Sequence, residues 1–322
     1  MTDTSLEELN IYLPEEFDFQ NDWGDEVCGE KPLLRSRVLA AGQLSQELTK
    51  QDDDTLSLSS FSSSDEVNSK NVLYDHFRME FPTMTSEECY LCRRGRSVEM
   101  AKQSMKANFE FRDTYRLDTM KYIPILKSDT EVFEFAVKHA LSFFPNVSLQ
   151  SKLPRFIKMG ETDDNLNTKD GYRITFLLPA LIDIKIAPLE LYALVMPLYF
   201  HFKFPDRENP EKMTFAIDVR RFKGGPNPSA ARLFPFTKLA ATYLSNTIPG
   251  RVNRCLLYPV PRPTKFIWDM FKTLIPDEII DMVNIFWGMA FSSSPAPVQD
   301  MKKFFDESII ERLEQMRTAE HK

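Results

Sequence analysis

Apolar and polar positions change their rhythm twice along this 322-residue chain. Residues 1 to 70 show no sustained period; they combine acids, serines and few aliphatics and end in "TLSLSSFSSSDEVNS". Such a segment cannot bury enough surface to offset its chain entropy, so it reads as a disordered acidic tail. From 72 to about 118 the spacing turns helical. Thr85 or Ser86 offers a first N-cap with acids in the next turn, and Ser97, with Glu99 behind it, offers a second. Met100, Ala101, Met105 and Phe109 make the apolar stripe of that second helix, and "TEVFEFAVKHALSFF", 130 to 144, predicts another. Beyond it short strand-like runs alternate with helices. "DGYRITFLLPALID" feeds a strand, "PLELYALVMPLYFHF" a buried helix, "KMTFAIDVRRF" a strand, and "PSAARLFPFTKLAATYLSNTIP" a helix. "NRCLLYPV" is then a strand, "PTKFIWDMFKTLI" a helix and "DMVNIFWG" a strand. Alternation at this spacing implies crossover units and an α/β fold with a mostly parallel sheet flanked by helices. "PVQDMKKFFDESIIERLEQMR" closes the chain as one or two amphipathic helices. The expected divisions are a tail at 1–70, a helical lobe at 71–145 and an α/β domain at 146–322.

One element stands apart. On a helix from 264 to 275, Phe266, Ile267, Trp268, Met270, Phe271, Leu274 and Ile275 occupy most of the circumference, leaving Lys265, Asp269 and Lys272 to face water. Such a helix either lies inside a large core or covers a cavity on one face and meets a hydrophobic phase on the other.

Charge sharpens the division. The tail holds 16 Asp/Glu against 5 Lys/Arg, so the net charge of −7 belongs to it, and the remainder is nearly neutral. That balance excludes duplex nucleic acid as a partner, because such binding needs a dense basic surface. Within the tail "IYLPEEFDF" is an acidic, aromatic patch suited to a protein partner, and Ser62 to Ser64 precede Asp65 and Glu66 as an acidophilic phosphorylation site. The most apolar region, 174 to 202, is broken by Pro179, Asp183, Lys185, Pro188, Glu190 and Pro197, so it predicts no transmembrane span. Cys28, Cys89, Cys92 and Cys255 are too few and too scattered for a disulfide framework, and no signal-peptide pattern opens the chain. A cytoplasmic setting is expected.

Candidate chemistry is sparse. Cys89-Tyr-Leu-Cys92 has the spacing of half a zinc or redox site, without a second ligand pair nearby; packing as small buried residues is the alternative. "RRFKGGPNPS" imitates a phosphate loop but lacks the Gly-Lys-Ser/Thr ending, and a strand-to-helix turn accounts for it. "RRGR", 93 to 96, is either a lipid contact or a solvated face. No Gly-x-Ser-x-Gly elbow occurs, and His76, His139, His201 and His321 suggest no catalytic grouping. Asp218, closing "TFAID", is the one candidate for acid/base work, set against a role as cap of the following turn. No metal or cofactor is expected.

Taken together, "YLCRRGRSVEMAKQSMKANFEFRD", "AIDVRRF", "TIPGRVN", "LLYPVPRP" and "TKFIWDMFKTLI" resemble, in order and spacing, the motifs of the CRAL-TRIO lipid-binding family, from about 85 to 290. Phe111 and Arg112 stand where the family has its Trp-Arg ending. Two departures concern phosphatidylinositol. Gly250 replaces the Glu of the family's Tyr-Pro-Glu-Arg turn, and the strand Lys gives way to the Asp281/Met282 neighbourhood. The Gly-Gly that follows the last strand in many members is also absent.

The resemblance implies a CRAL-TRIO fold with a lipid cavity under a gate helix, residues 264 to 275, hinged at Pro259 to Pro263 and at Pro276. The implied pocket wall is Phe176, Leu178, Phe215, Ile217, Leu256 and Tyr258, with the gate residues Ile267, Phe271 and Leu274. Alternation groups strand residues by face but does not choose the face that meets ligand. Burial gives about 0.8 kcal/mol per CH₂, so an enclosed apolar cavity can rival a bilayer's hold on a lipid without covalent chemistry. The implied function is non-enzymatic: to bind a lipid or other hydrophobic small molecule and carry or present it between membranes as a cytoplasmic, peripherally membrane-associated protein. A ligand-free scaffold regulated through its Ser-rich tail is the second reading, and a hydrolase on a doubly wound sheet the third.

Overall fold

In the computed structural model the described residues are 80–319, apart from 94–96, 120–125, 127, 161–165, 208–209, 249, 263–264 and 273–279. The acidic tail with its "IYLPEEFDF" and Ser62 to Ser64, the residues 94–96, Leu274 and the hinge prolines Pro263 and Pro276 therefore lie outside the described residues.

Three helices come first: α1 (Ser86–Arg93), α2 (Val98–Thr114) and α3 (Asp129–Leu141). Each starts where a side chain can satisfy the unpaired first-turn N–H groups. At α1 the arrangement is reciprocal: the Glu88 N–H donates to Thr85 Oγ1 at 3.2 Å and the Thr85 N–H to the Glu88 carboxylate at 3.0 Å. Ser97 and Ser128 cap α2 and α3 in the simpler way. Ala101 and Met105 bury their side chains in a small cluster with Phe81, Met84, Cys89 and Cys92. Met100 departs from the expected stripe and is 46% exposed, because it sits in the first turn of α2, clear of that cluster.

The sheet follows, with five strands in sequential order. They are β1 (Ile157–Lys158), β2 (Arg173–Leu177), β3 (Met213–Asp218), β4 (Val252–Val260) and β5 (Val283–Trp287). β1 pairs antiparallel with β2, and all the others are parallel. Between them run α4 (Leu189–Lys203), α5 (Ala230–Thr247) and α6 (Lys265–Lys272). Because parallel crossovers are right-handed and the strand order never reverses, all three connecting helices fall on one face of the sheet. α4 confirms the side: Phe200 meets Phe215 of β3 edge-on, with ring centres 5.6 Å apart. The core reaches α3 as well, since Phe156 touches Phe133, Tyr192 and Phe236 of three different helices.

The opposite face is covered by the returning chain, α7 (Val298–Met301) and α8 (Glu307–Thr318). Phe304 stacks on Phe286 of β5 at 5.8 Å, and the Arg254 guanidinium lies 4.6 Å over the Phe304 ring. Lys158 of β1 donates to the Met316 carbonyl at 3.1 Å, placing a cation at the negative end of α8.

Gly250 occupies the turn between α5 and β4 with φ +67°, and a Cβ there would approach Leu91 to 3.2 Å. Both facts favour glycine in this turn.

Candidate functional site

Register sorts the strand residues into two sets, because partners in a parallel ladder share a face. Thr175, Phe215, Cys255 and Val283 form one row, and Leu177, Ile217, Leu257 and Ile285 form the next. Both rows look toward α4, α5 and α6. Burial grades along them. Thr175, Leu177 and Phe215 are buried under α4, whereas Ile217, Cys255, Leu257, Val283 and Ile285 keep part of their surface accessible. Along α5 the covering is also graded: Phe236 and Ala240 are buried, while Leu233, Leu239 and Leu244 are half-buried; Tyr243 turns to the helical lobe, its ring 5.5 Å from Phe111.

Cys255 shows what kind of surface this is. Burial pushes its thiol up to about 12, yet the residue retains accessible area. Cys255 is thus closely surrounded by protein without being sealed, and with Ile217, Leu257, Val283 and Ile285 it makes an incompletely covered apolar strip, the candidate recess. The right-handed crossover from β4 to β5 carries α6 to this face of the sheet. Lys265, Asp269 and Lys272 of α6 are exposed as the sequence pattern predicts, with Lys265 and Asp269 paired at 2.6 Å.

The sequence-predicted wall residues divide between the two faces. Phe215 and Ile217 belong to the helix-covered face of the recess. Phe176, Leu256 and Tyr258 belong to the face under α7 and α8 and are at most 1% exposed. Leu178 is buried just past the end of β2. Ile267 and Phe271 fall within α6, but their side chains, and Leu274 altogether, lie outside the described residues. Cys255, Leu257, Val283 and Ile285 join the recess although the sequence did not single them out. Their signal was the same period of two that marked Leu256 and Tyr258, taken one residue out of step.

The candidate acid/base residue has a different occupation. Asp218 is fully buried, and both of its oxygens accept hydrogen bonds from Arg220, at 3.0 and 2.6 Å. Arg220 also pairs with Glu314 of α8, and Arg317 of α8 approaches Asp218 to 3.6 Å. Arg317 in turn donates to the Arg221 carbonyl at 2.6 Å and covers the Phe222 ring at 4.3 Å. Two carboxylates and two guanidinium groups thus fasten the last helix to the end of β3, which leaves Asp218 no open lone pair for proton transfer. The turn at 220–229 is filled from within by Asn227, which accepts from the Phe222 N–H at 2.7 Å and donates to the Phe222 and Gly225 carbonyls. It has no cradle for a phosphate.

The cysteine pair is likewise structural. Cys89 and Cys92 are at most 1% exposed, Ser104 donates to the Cys92 sulfur at 3.6 Å, and burial, reinforced by Cys92 and Glu88, pushes the Cys89 thiol up to about 12. Among the described residues no group of three His, Cys, Asp or Glu side chains could hold a metal, and no helix is long and apolar enough to cross a membrane.

No curated protein matches the sequence. Among solved structures, the crystal structure of Sfh5 aligns over 72% of this chain and 82% of its own, with a TM-score of 0.40 and 12% identity. Residues 167–313, which span β2 through most of α8 and hold every described wall of the recess, match the CRAL/TRIO domain. The matched stretch is similar to the CRAL/TRIO domain and holds four of the five strands of a mostly parallel sheet flanked by helices.

Proposed function

We propose that this protein is a non-enzymatic lipid carrier that holds a hydrophobic ligand in the recess between the sheet, α5 and α6, and exchanges it with membranes when α6 swings aside. One observation carries the reading: the adjoining apolar strip of Ile217, Cys255, Leu257, Val283 and Ile285 is only partly covered although it lies on the face of the sheet that the crossover helices occupy. Bare apolar surface in so enclosed a place is unfavourable unless a ligand covers it, since each CH₂ removed from water gains about 0.8 kcal/mol. The CRAL/TRIO match over 167–313 supports the same class of cargo.

In this reading Phe215 closes the blind end beneath Phe200, and Ile217 begins the floor that the cargo touches. Ile267, Phe271 and Leu274 supply the inner side of the gate. Phe176, Leu178, Leu256 and Tyr258 act from behind, as the packed core that keeps the floor rigid. Pro259 to Pro263 and Pro276 bound the moving segment. The absence of a glutamate at Gly250 argues for a cargo held by its hydrocarbon portion more than by an inositol phosphate. The protein works at the cytoplasmic surface of a membrane, with α2 bracing α5 through Phe111 and Tyr243, whose rings lie 5.5 Å apart, and the tail at 1–70 offering a protein partner a docking arm.

Native mass spectrometry of the purified full chain tests the reading. Wild type is expected to carry one lipid per protein. Ile217→Trp with Leu257→Trp, which fills the floor with side chain, is expected to emerge empty while unfolding at an unchanged denaturant midpoint. A wild type free of lipid, or a filled variant that loads as fully, would refute the carrier.

A further inference from the structure

The C-terminal ends of β3, β4 and β5 all leave the sheet along one edge, and that edge exposes large apolar side chains. After Ile285 the backbone of β5 runs on in extended form, with the Gly288 N–H donating to the Val260 carbonyl at 2.9 Å and the Ala290 carbonyl accepting from the Arg221 N–H at 3.0 Å. Alternation sends Trp287 to the side of Val283 and Ile285, and Met289 and Phe291 follow just past the end of β5. Their exposures are 38, 59 and 37%. Large apolar side chains thus continue from the end of the β5 strip into open solvent. The segment is fixed in place, because Gly288 packs so flat on Pro259 that a Cβ would come within 2.9 Å of it.

Charge along the same edge is one-sided. The turn after β3, residues 219–229, carries Arg220, Arg221 and Lys223 and no acid; the stretch after β4 up to α6 carries Arg262 and Lys265 and no acid; the stretch 288–299 after β5 carries no acid either. Lys223 and Arg262 are exposed. The acids nearest to this edge are committed: Asp218 and Glu314 to Arg220, and Asp269 to Lys265. In a chain of net charge −7 these three acid-free stretches are a local exception; the fourth stretch on this edge, after β2, carries Asp183, which accepts from the Lys185 N–H, and Lys185.

We propose that this edge, Trp287, Met289 and Phe291 flanked by Lys223 and Arg262, is the surface by which the protein docks on a bilayer bearing anionic headgroups. Trp, Met and Phe on a rigid extended segment insert into the headgroup boundary, and the two cations meet the lipid phosphates and carboxylates. α6 starts from this edge, so docking brings the mouth of the recess against the lipid. The apolar side chains from Met289 back to Ile285 then give a hydrocarbon chain a dry path inward. The proposal rests on the carrier reading only for that last step; docking itself needs no cargo.

Co-sedimentation of the full chain with phosphatidylcholine vesicles, with and without phosphatidylserine, tests it. Wild type is expected to partition onto both, more strongly onto the anionic ones, and to lose that preference at high salt. Trp287→Ser/Met289→Ser/Phe291→Ser is expected to weaken partitioning about tenfold on both compositions. Lys223→Glu/Arg262→Glu is expected to abolish the preference for phosphatidylserine and spare the residual binding to phosphatidylcholine. Lys223→Glu/Arg262→Glu alters exposed side chains, so its unfolding midpoint and native-mass lipid load should match wild type; Trp287 and Phe291 are 38 and 37% exposed, so for the triple-serine variant a wild-type circular-dichroism spectrum and a single unfolding transition are the check that it is folded. Wild type that ignores vesicles, or a triple-serine variant that binds as well as wild type, overturns the proposal. So does a wild-type dimer in solution that the triple-serine change dissolves while vesicle binding persists, because the patch would then seat a second copy. Lipid-loaded protein that docks elsewhere refutes this surface and leaves the carrier standing; empty protein that docks here does the reverse.

Discussion

Asp218 stands out in the sequence because it closes an apolar strand, and in the structure because two arginines claim it. Its removal would leave Arg220 and Arg317 facing each other in a buried site with only Glu314 between them. Breaking one partner out of such a buried pair typically costs 3–5 kcal/mol, while the pair as a whole contributes much less than that to stability. Asp218→Asn is therefore expected to lose roughly 3 kcal/mol in urea unfolding, and Asp218→Asn combined with Arg317→Met to recover part of it. A loss below about 1 kcal/mol would show that the network is loose in solution. Sequence alone could mark the carboxylate but not its partners, since Glu314 and Arg317 lie almost a hundred residues further along the chain.

Secondary structure was the most legible level. Among the described residues every segment from "DGYRITFLLPALID" to "DMVNIFWG" folds as its period indicates, since long crossover units repeat one decision several times: a run of two-residue alternation, a turn, then a helical stripe. β1 was not legible, because two residues leave no period to read. The facing of the strands was not legible either. Leu256 and Leu257 are equal in hydrophobicity and adjacent, and only the hand of the crossovers decides which meets α5 and α6 and which meets α8. That distinction split the expected wall between two sides of the sheet. α8 is the element on which the rear face depends, for it holds Glu314 and Arg317 and receives Lys158 at its end. A chain ending at Phe305 is expected to uncover Phe286, Leu256 and Tyr258, bind a hydrophobic dye and lose its cooperative unfolding transition. Retention of one sharp transition would show α8 to be an accessory.

At the scale of the whole molecule, stability should depend on pH through a histidine that plays no part in cargo. His201 of α4 is held down to about 3, first by burial and then by the charges of Arg112 and Arg207, with His139 adding to them and Asp118 opposing. Its Nε2 has no hydrogen-bond partner. The unfolded chain takes up a proton near pH 6.5 and the folded one does not. Stability is therefore full above that pH and falls as pH drops toward 3, by at most about 1.4 kcal/mol per pH unit from this group. Asp118 adds to the loss at lower pH. Burial works against its charge, but Arg112 and Arg207 outweigh it and hold the carboxyl below its ordinary value, so its contribution disappears as acid protonates it. Urea midpoints between pH 7 and 5 should fall for wild type and stay nearly level for His201→Leu; parallel slopes in the two proteins would exclude the histidine as the cause.

The one-sided placement of the crossover helices has a mechanical consequence. The sheet acts as a bulkhead: the proposed cargo site lies on one side, and the ionic fastening of α8 lies on the other. In the proposed carrier α6 swings without straining Asp218, Arg220 or Arg317, because these groups act behind the sheet. Release of a bound molecule and resistance to unfolding then become separately adjustable, and substitutions under α6 can alter what is carried while the rear of the sheet keeps the molecule intact.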